Sequence, residues 1–187
     1  GLEPDEATVA AARAAAPQLR DVAQERVFAE LRRVIAGEDP LHGLALLDRV
    51  GATPVVLPEL DALRGVEQSV YHHLDVYDHT LAVLAETVAL EHDPAAVLGP
   101  EHGPRVATLL AEPFADELTR GGALRFGALL HDIAKPQTRA VNERGRVTFF
   151  DHDEQGADVA RAILTRLRAS EKLRAHVAAL TRHHLRL

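Results

Sequence analysis

Apolar positions recur at intervals of three and four residues along most of the chain, which predicts a largely helical protein. The clearest example is the segment 74–91, where Leu81, Leu84 and Val88 fall on one stripe. The same spacing, together with glycine and proline stop signals, predicts helices at residues 7–16, 19–35, 41–50, 74–91, 105–119, 123–134, 154–168 and 171–184. The predicted fold class is therefore all-α.

Three segments interrupt the helical pattern. Residues 93–104 are rich in glycine, proline and acidic residues, so we expect a surface loop there. Pro54 and Pro58 flank an apolar run that is too short to be more than a turn or a buried connector. Residues 138–150 place β-branched and aromatic residues on both sides of 142–145, which predicts a small β-hairpin. Because this hairpin leads into His152, it is expected to turn that side chain back towards the bundle.

Composition limits the class of protein. A chain of 187 residues, 47% hydrophobic and 26% charged, has the profile of one soluble domain or a compact pair of domains. We find neither a run of eighteen apolar residues nor a signal peptide, so neither a membrane span nor secretion is indicated and a cytoplasmic location is expected. The absence of cysteine excludes disulfides, thiolate nucleophiles and sulfur-ligated metals. The absence of methionine and the opening Gly1 suggest a segment cut from a longer protein.

Charge is distributed unevenly. The whole chain carries −7, yet residues 157–187 contain seven basic and two acidic residues, a net charge of +5. An acidic body argues against a large contact with phosphate backbones, although the basic strip containing Arg161, Arg166 and Arg168 could make a local one. We favour the plainer interpretation that these arginines are the solvated faces of two helices, because helix surfaces are usually charged.

The strongest chemical signal is the adjacent pair His131 and Asp132, which follows an apolar run and precedes Lys135. Imidazole and carboxylate suit zinc, iron, manganese or magnesium, and a carboxylate can bridge two ions. Histidines on separate helices can converge in a bundle core, where metal sites are common. The candidate metal ligands are His79, His131, Asp132, His152, His183 and His184. This number of ligands exceeds the need of a tetrahedral zinc and fits one or two divalent ions (Mg, Mn, Fe, Zn or Ni), with Lys135 able to hold a substrate phosphate.

The remaining histidines are weaker candidates, because a chain with eleven histidines offers many coincidences. His72 and His73 could line the mouth of the cleft or cap the long helix, and both alternatives stay open. Ordinary surface or core positions are expected for the other four, which are His42, His92, His102 and His176.

Four motifs carry a family resemblance. They are LPEL at 57–60, YHHLDVYDHT at 71–80, LLHDIAKP at 129–136 and TRHHL at 181–185. Together they resemble the C-terminal half of bacterial tRNA nucleotidyltransferases, which are the CCA-adding enzymes and poly(A) polymerases. In that family an HD domain, named for its metal-binding His-Asp doublet, follows a catalytic head and a helical RNA-binding neck. The resemblance extends over residues 19–187.

The resemblance implies a neck-like, RNA-binding-region-like helical segment at residues 1–64 and an HD domain, a helical bundle with one hairpin, at 65–187. It implies a metal-dependent phosphohydrolase that cleaves phosphomonoesters or phosphodiesters, with a nucleotide or an RNA end as substrate and with tRNA or another RNA as a partner of the full-length protein. Asp132 and Lys135 would be the catalytic residues: Asp132 would bridge the metal and orient water, and Lys135 would hold phosphate. The metal would be held by His79, His131, His152 and either His183 or His184. The alternative is a non-catalytic RNA-contacting or assembly module with a vestigial metal site.

The sequence departs from the family pattern in three ways. Ala134 stands where the family's signature usually has glycine, a mild change. Many members also have a later aspartate ligand, which here is lost, supplied from elsewhere, or located beyond Leu187. The Gly-Gly and Asp-x-Asp signatures of the catalytic head are absent, so these residues alone are not expected to add nucleotides.

Overall fold

The computed structural model describes residues 3–68 and 74–186. Within these ranges the chain is mainly helical, with one antiparallel pair of short strands, which confirms the all-α prediction. The helices are α1 Glu6–Ala15, α2 Gln24–Ile35, α3 Pro40–Arg49, α4 Thr53–Val56, α5 Pro58–Asp61, α6 Val76–His92, α7 Pro94–Ala111, α8 Arg120–Leu130, α9 Lys135–Thr138, α10 His152–Arg166 and α11 Glu171–His183. None of these helices is long and apolar enough to cross a bilayer.

The amino-terminal helices form around the apolar face of α2. Val27, Phe28, Leu31 and Ile35 on that face are all buried, as their three-to-four spacing requires. The prediction of one helix over 19–35 was wrong at its start. A 3-10 turn occupies Ala16–Asp21, the backbone is extended at its C-cap, and α2 begins only at Gln24. Proline at the second position of that turn lacks an N–H and suits the first turn of a short helix.

Helix α8 lies at the centre of the carboxyl-terminal part. Nine of its eleven residues are buried, and α6 and α11 pack against it. Gly127 makes this packing possible, since a Cβ atom built there would lie 2.7 Å from Leu180 Cδ1 of α11. The helix starts at Arg120, earlier than the predicted 123, because the Thr119 side chain accepts a hydrogen bond from the Gly122 amide.

The prediction of a surface loop at 93–104 was wrong, because α7 covers almost all of that segment. Asp93 caps this helix by accepting a hydrogen bond from the Ala96 amide, and Pro94 occupies its first position, where proline is tolerated. Gly99 lies at a kink within α7: its φ is 78°, between two helical pieces, and Pro100 starts the second piece. Glycine and proline therefore mark positions within a kinked helix here.

The helix predicted at 105–119 ends early. Helix α7 stops at Ala111, and the chain then makes a short bridge between Pro113 and Thr119. Asp116 and Glu117, between these two residues, have φ values of 53° and 57°. Left-handed backbone of this kind is incompatible with a continuing helix.

The predicted hairpin is confirmed. Strand β1, Ala140–Val141, pairs antiparallel with β2, Val147–Thr148. The Asn142 side chain closes the turn by accepting hydrogen bonds from two backbone amides, and Gly145 supplies the positive φ of 70°. After β2 the chain reverses at Asp151, whose φ is 61°, and α10 begins at once. Its start at His152 is two residues earlier than predicted.

Polar contacts join the first five helices to the rest of the chain. Asp48 of α3 accepts hydrogen bonds from Tyr77 Oη of α6 at 2.7 Å and from Arg64 Nη2 at 2.5 Å. Arg166 of α10 donates to both carboxylate oxygens of Glu59, at 3.0 and 2.7 Å. The boundary near residue 65 between a neck-like segment and an HD domain stays a prediction.

Candidate metal centre

The His-Asp pair lies directly after the most buried helix. Helix α8 ends at Leu130, His131 is its C-cap, and residues 131–134 form the turn that leads into α9. The Lys135 amide donates to the Asp132 carbonyl at 3.0 Å and closes this turn. Because the turn is anchored on both sides by buried residues, Asp132 is only 2% exposed and His131 only 8%. The sequence thus delivers both side chains to the interior of the bundle.

Four imidazoles converge on the Asp132 carboxylate. The distance from Nε2 to the nearer carboxylate oxygen is 3.5 Å for His79 of α6 and 3.0 Å for His131. It is 3.4 Å for His152 of α10 and 3.7 Å for His184, the C-cap of α11. Elements far apart in sequence therefore bring their imidazoles to one carboxylate, as the sequence predicts.

Main-chain carbonyls orient three of these rings. Nδ1 donates to the carbonyl three residues earlier: His131 to Ala128 at 2.8 Å, His152 to Phe149 at 2.6 Å, and His184 to Thr181 at 2.5 Å. Since a carbonyl only accepts, each Nδ1 carries a hydrogen, and the lone pair of the neutral ring is left on Nε2. Such bonds to the second ring nitrogen are typical of metal-ligating histidines.

The cluster has more acceptors than donors, which suits a cation. His152 Nε2 and His184 Nε2 lie 3.2 Å apart, although both carry lone pairs when the rings are neutral. Asp132 Oδ2 is buried, and no donor among residues 3–68 and 74–186 meets it in hydrogen-bond geometry. Two triads have their donor atoms within 4.8 Å of one another, and they share Asp132. This donor set fits one or two divalent ions.

The electrostatics of the cluster keep the carboxylate ionised. Burial by itself would raise the pKa of Asp132, but the contacts with His131 and His152 and the charge of Lys135 hold that pKa well below its usual range. The contact with Asp132 also raises the pKa of His152. Burial, by contrast, lowers the pKa of His184, so this imidazole is kept neutral. An ionised carboxylate beside a neutral imidazole is ready to bind metal.

Lys135 lies beside the carboxylate in a cleft of about 520 Å³ that opens over the cluster. Its ammonium is 2.7 Å from Asp132 Oδ2, donates to Gln68 Oε1 at 2.7 Å, and lies 5.3 Å from the centre of the Phe149 ring. Gln68 was missed in the sequence because an isolated glutamine carries no motif. Gln68 is only 9% exposed because other parts of the chain pack over it, and this packing is not visible in the sequence.

His183 does not belong to the cluster: of the two alternatives His183 and His184, the structure places His184 beside Asp132. Its side chain is exposed and lines a neighbouring cleft of about 730 Å³ between α6, α8 and α11. Consecutive residues of a helix point about 100° apart, so His183 and His184 cannot both face the cluster. His72 and His73 lie outside the described residues. No member of either triad comes from the four histidines predicted to be ordinary, which are His42, His92, His102 and His176.

The arginines of the basic strip contact acids of the same chain. Arg161 pairs with Glu171, and Arg166 binds Glu59 in two hydrogen bonds. Arg168 lies 3.9 Å from Glu25. These contacts favour a role in holding helices together over a free basic surface.

Comparison with protein families agrees with this geometry. Residues 76–187 match the model of the HD domain, and residues 1–64 match a family described as the probable RNA- and SrmB-binding site of polymerase A. The chain belongs to the HD domain family. The site described above therefore lies in a domain that is named for the His-Asp pair at its centre.

Similar proteins include tRNA nucleotidyltransferases. The chain is 38% identical, over 87% of its length, to the CC-adding tRNA nucleotidyltransferase of Thermus thermophilus, and 33% identical over the same share to the A-adding enzyme of Deinococcus radiodurans. It is 32% identical over 91% of its length to the multifunctional CCA protein of Halorhodospira halophila. These alignments cover 32%, 32% and 34% of the relatives, so the chain spans about a third of their length.

Proposed function

We propose that this HD domain is a metal-dependent phosphohydrolase that acts on phosphomonoesters or phosphodiesters. The observation that carries the proposal is the convergence of four Nε2 atoms on the ionised Asp132, with the Lys135 ammonium in the same cleft. The cleft thus combines a place for cations with a donor for an anion. Phosphate ester hydrolysis needs both, because the group being attacked is negatively charged.

Asp132, His131, His79, His152 and His184 would hold the ion or ions. Imidazole-rich sites with one carboxylate favour first-row transition ions such as zinc, iron or nickel, and manganese and magnesium accept the carboxylate. These residues would place a divalent ion where it could lower the pKa of water and polarise a phosphoryl oxygen. The arrangement of Asp132 between two triads is compatible with one ion or with two.

The chain's own residues supply binding and orientation. Carbonyls fix the His131, His152 and His184 rings with Nε2 towards the cleft, so little reorganisation accompanies metal binding. The Lys135 ammonium has three donor hydrogens; one is donated to Gln68, and the charge lies in ion-pair distance of Asp132. A remaining hydrogen is available to a phosphate oxygen.

Hydrolysis of p-nitrophenyl phosphate and bis(p-nitrophenyl) phosphate, with Mn, Ni, Co, Zn or Mg supplied singly, tests the proposal. We expect Asp132→Asn and His184→Ala each to lower kcat/KM more than about a hundredfold, because even partners that only orient ligands are worth 10- to 100-fold. His183→Ala is the matched control, since it removes an exposed imidazole next to the ligand, and it should retain activity.

The outcomes separate catalysis from metal binding. Equal activity in Asp132→Asn and wild type would refute the proposed hydrolase site. If metal binds, and is lost in Asp132→Asn, while no ester is hydrolysed with any ion, the domain is instead a non-catalytic module that retains a metal centre.

For the full-length protein we propose tRNA as a partner. The support is the likeness to proteins named tRNA nucleotidyltransferases and the match of residues 1–64 to a family described as probably RNA-binding. A gel-shift titration of the full-length protein with tRNA, with the segment 1–64 deleted for comparison, tests this partner. Undiminished tRNA binding after the deletion would contradict a role for 1–64.

A further inference from the structure

An aromatic side chain stands exposed at the mouth of the metal cleft. Phe150 is 76% exposed, although it lies only two residues before the His152 ligand. Among the phenylalanines, Phe28 and Phe126 are in the core, and Phe114 and Phe149 are partly buried. Phe150 lines the same cleft as Asp132, and so does Leu185, which is 59% exposed.

The local backbone holds Phe150 outward. Phe149, its neighbour, uses its carbonyl to orient His152 and places its ring near the Lys135 ammonium. Asp151 then adopts a left-handed conformation with φ 61°, an uncommon conformation that reverses the chain into α10. Phe150 and Leu185 both leave apolar surface exposed on one cleft, the one proposed above to bind phosphate, and this combination suits a ligand with an apolar face.

Positive charge lies on the same hairpin. Arg139, Arg144 and Arg146 are exposed, and within the described ranges no carboxylate lies in ion-pair distance of their guanidinium groups. Glu143 is the one acid between residues 138 and 150, which leaves this segment with a net charge of +2. Asp151, Asp153 and Glu154 follow directly after Phe150, so the positive charge is confined to the hairpin itself. The hairpin therefore carries an exposed aromatic residue at its end beside the cleft and, on the same short segment, cations without a carboxylate partner among the described residues.

We propose that the hairpin is a docking platform for the end of a single-stranded nucleic acid, with a base stacked on Phe150 and backbone phosphates on Arg144 and Arg146. Aromatic stacking with basic side chains is the chemistry that binds single strands, since every base has a flat apolar face and every link has a charge. The platform rests on the proposed function, because it would place the terminal phosphate of the strand in the metal cleft. The substrate would then be an oligonucleotide end.

The acidic character of the whole chain fits a small contact of this kind. A net charge of −7 disfavours a long phosphate footprint, whereas a hairpin with a charge of +2 suffices for one strand end. A protein partner would also cover Phe150, but it gives no reason for the phosphate chemistry of the adjoining cleft.

Binding of a fluorescein-labelled eight-nucleotide RNA, followed by anisotropy, tests the platform. Phe150→Ala should weaken binding at least about fivefold, the lower bound for loss of one stacked base, and Phe150→Trp should preserve binding. Val141→Ser is the matched control, because Val141 is 58% exposed on the same hairpin and does not line the cleft. Equal affinity of wild type and Phe150→Ala would overturn the proposal.

Salt dependence tests the arginines. Removing Arg144 and Arg146 together should reduce the slope of log affinity against log salt by about 1.4, since each phosphate contact to a single strand contributes about 0.7. Arg105→Ala, on α7 and outside the cleft, should leave the slope unchanged. An unchanged slope in the double variant would contradict the phosphate contacts. If the chain binds a protein partner through this hairpin and shows no affinity for RNA, the platform is wrong and the hairpin is a protein interface.

Failure of the platform differs from failure of the hydrolase. If p-nitrophenyl phosphate is not hydrolysed with any ion, while Phe150→Ala still weakens RNA binding, the hydrolase is wrong and the platform stands. If the small ester is hydrolysed and RNA affinity is indifferent to Phe150, the platform is wrong and the hydrolase stands.

Discussion

Replacing Arg125 by methionine should destabilise the helix that leads into His131 and Asp132. Arg125 of α8 is 5% exposed, and its Nε donates to Glu91 Oε2 of α6 at 2.7 Å. Its Nη1 donates to the carbonyls of Ile35 and Gly37 at 3.2 and 2.5 Å, at the end of α2. Methionine has a similar length and makes none of these bonds. The substitution leaves a carboxylate and two carbonyls without their donor.

The expected loss follows from burial. Removing one partner of a buried ion pair lowers the free energy of unfolding by about 3–5 kcal/mol. The Glu91 side chain is 24% exposed and can be partly rehydrated, so we take the lower bound of about 3 kcal/mol. For a chain of this length that corresponds to a decrease in Tm of about 6–12 °C. Urea unfolding followed by circular dichroism at 222 nm measures the loss directly.

A matched control separates burial from charge. Arg120→Met also removes one positive charge from α8, but the ion pair of Arg120 with Glu112 has side chains that are 40% and 48% exposed. Exposed pairs are worth about 0–1 kcal/mol, so this variant should lose less than 1 kcal/mol. Equal losses in the two variants, or a loss below about 1 kcal/mol for Arg125→Met, would refute the reasoning.

Three further predictions concern pH, metal and packing. The pKa of Asp48 is lowered, because hydrogen bonds and a nearby cation outweigh the burial that would raise it. Asp48→Asn should therefore be less stable than wild type at pH 7, and urea titrations should show this difference vanishing as the pH falls below about 4. A difference that stays constant with pH would contradict the prediction. A metal ion at 100 times its Kd should raise Tm by about 5–11 °C in wild type and His183→Ala, and thermal scans should show no rise in Asp132→Asn. Gly156→Val should reduce metal affinity and lower the free energy of unfolding by about 1–3 kcal/mol, because a Cβ atom built at that position already lies 3.0 Å from Thr181 Cγ2. Calorimetric titration of the variant with metal measures the affinity. An unchanged metal affinity would argue against tight packing there.

Much of the fold could be predicted because burial imposes periodicity. The stripe at 74–91 corresponds to Val76–His92, and the hairpin was found from its turn residues and β-branched flanks. The segment 93–104 misled because its glycine and prolines are typical of loops, whereas here they occupy the start and the kink of a helix. Composition alone does not distinguish these two uses.

The candidate site could be predicted in its residue types and only in part in its geometry. Imidazoles and a carboxylate are the side chains that hold such ions, so His131 and Asp132 were visible in the sequence. The choice between His183 and His184 depends on the rotation of α11, which is fixed by the packing of Leu180 on Gly127. No sequence pattern gives that rotation. The exposed face of Phe150 likewise follows from the backbone reversal after it.

The central claim is that the imidazoles and Asp132 form a single cation site. A crystal structure of the protein grown with manganese or zinc, with data collected at the absorption edge of the ion, tests this claim most directly. We predict one or two anomalous peaks beside Asp132, each within reach of the Nε2 atoms of His79 and His131 or of His152 and His184, and no peak there in Asp132→Asn. Peaks confined to surface histidines such as His183, with none beside Asp132, would contradict it.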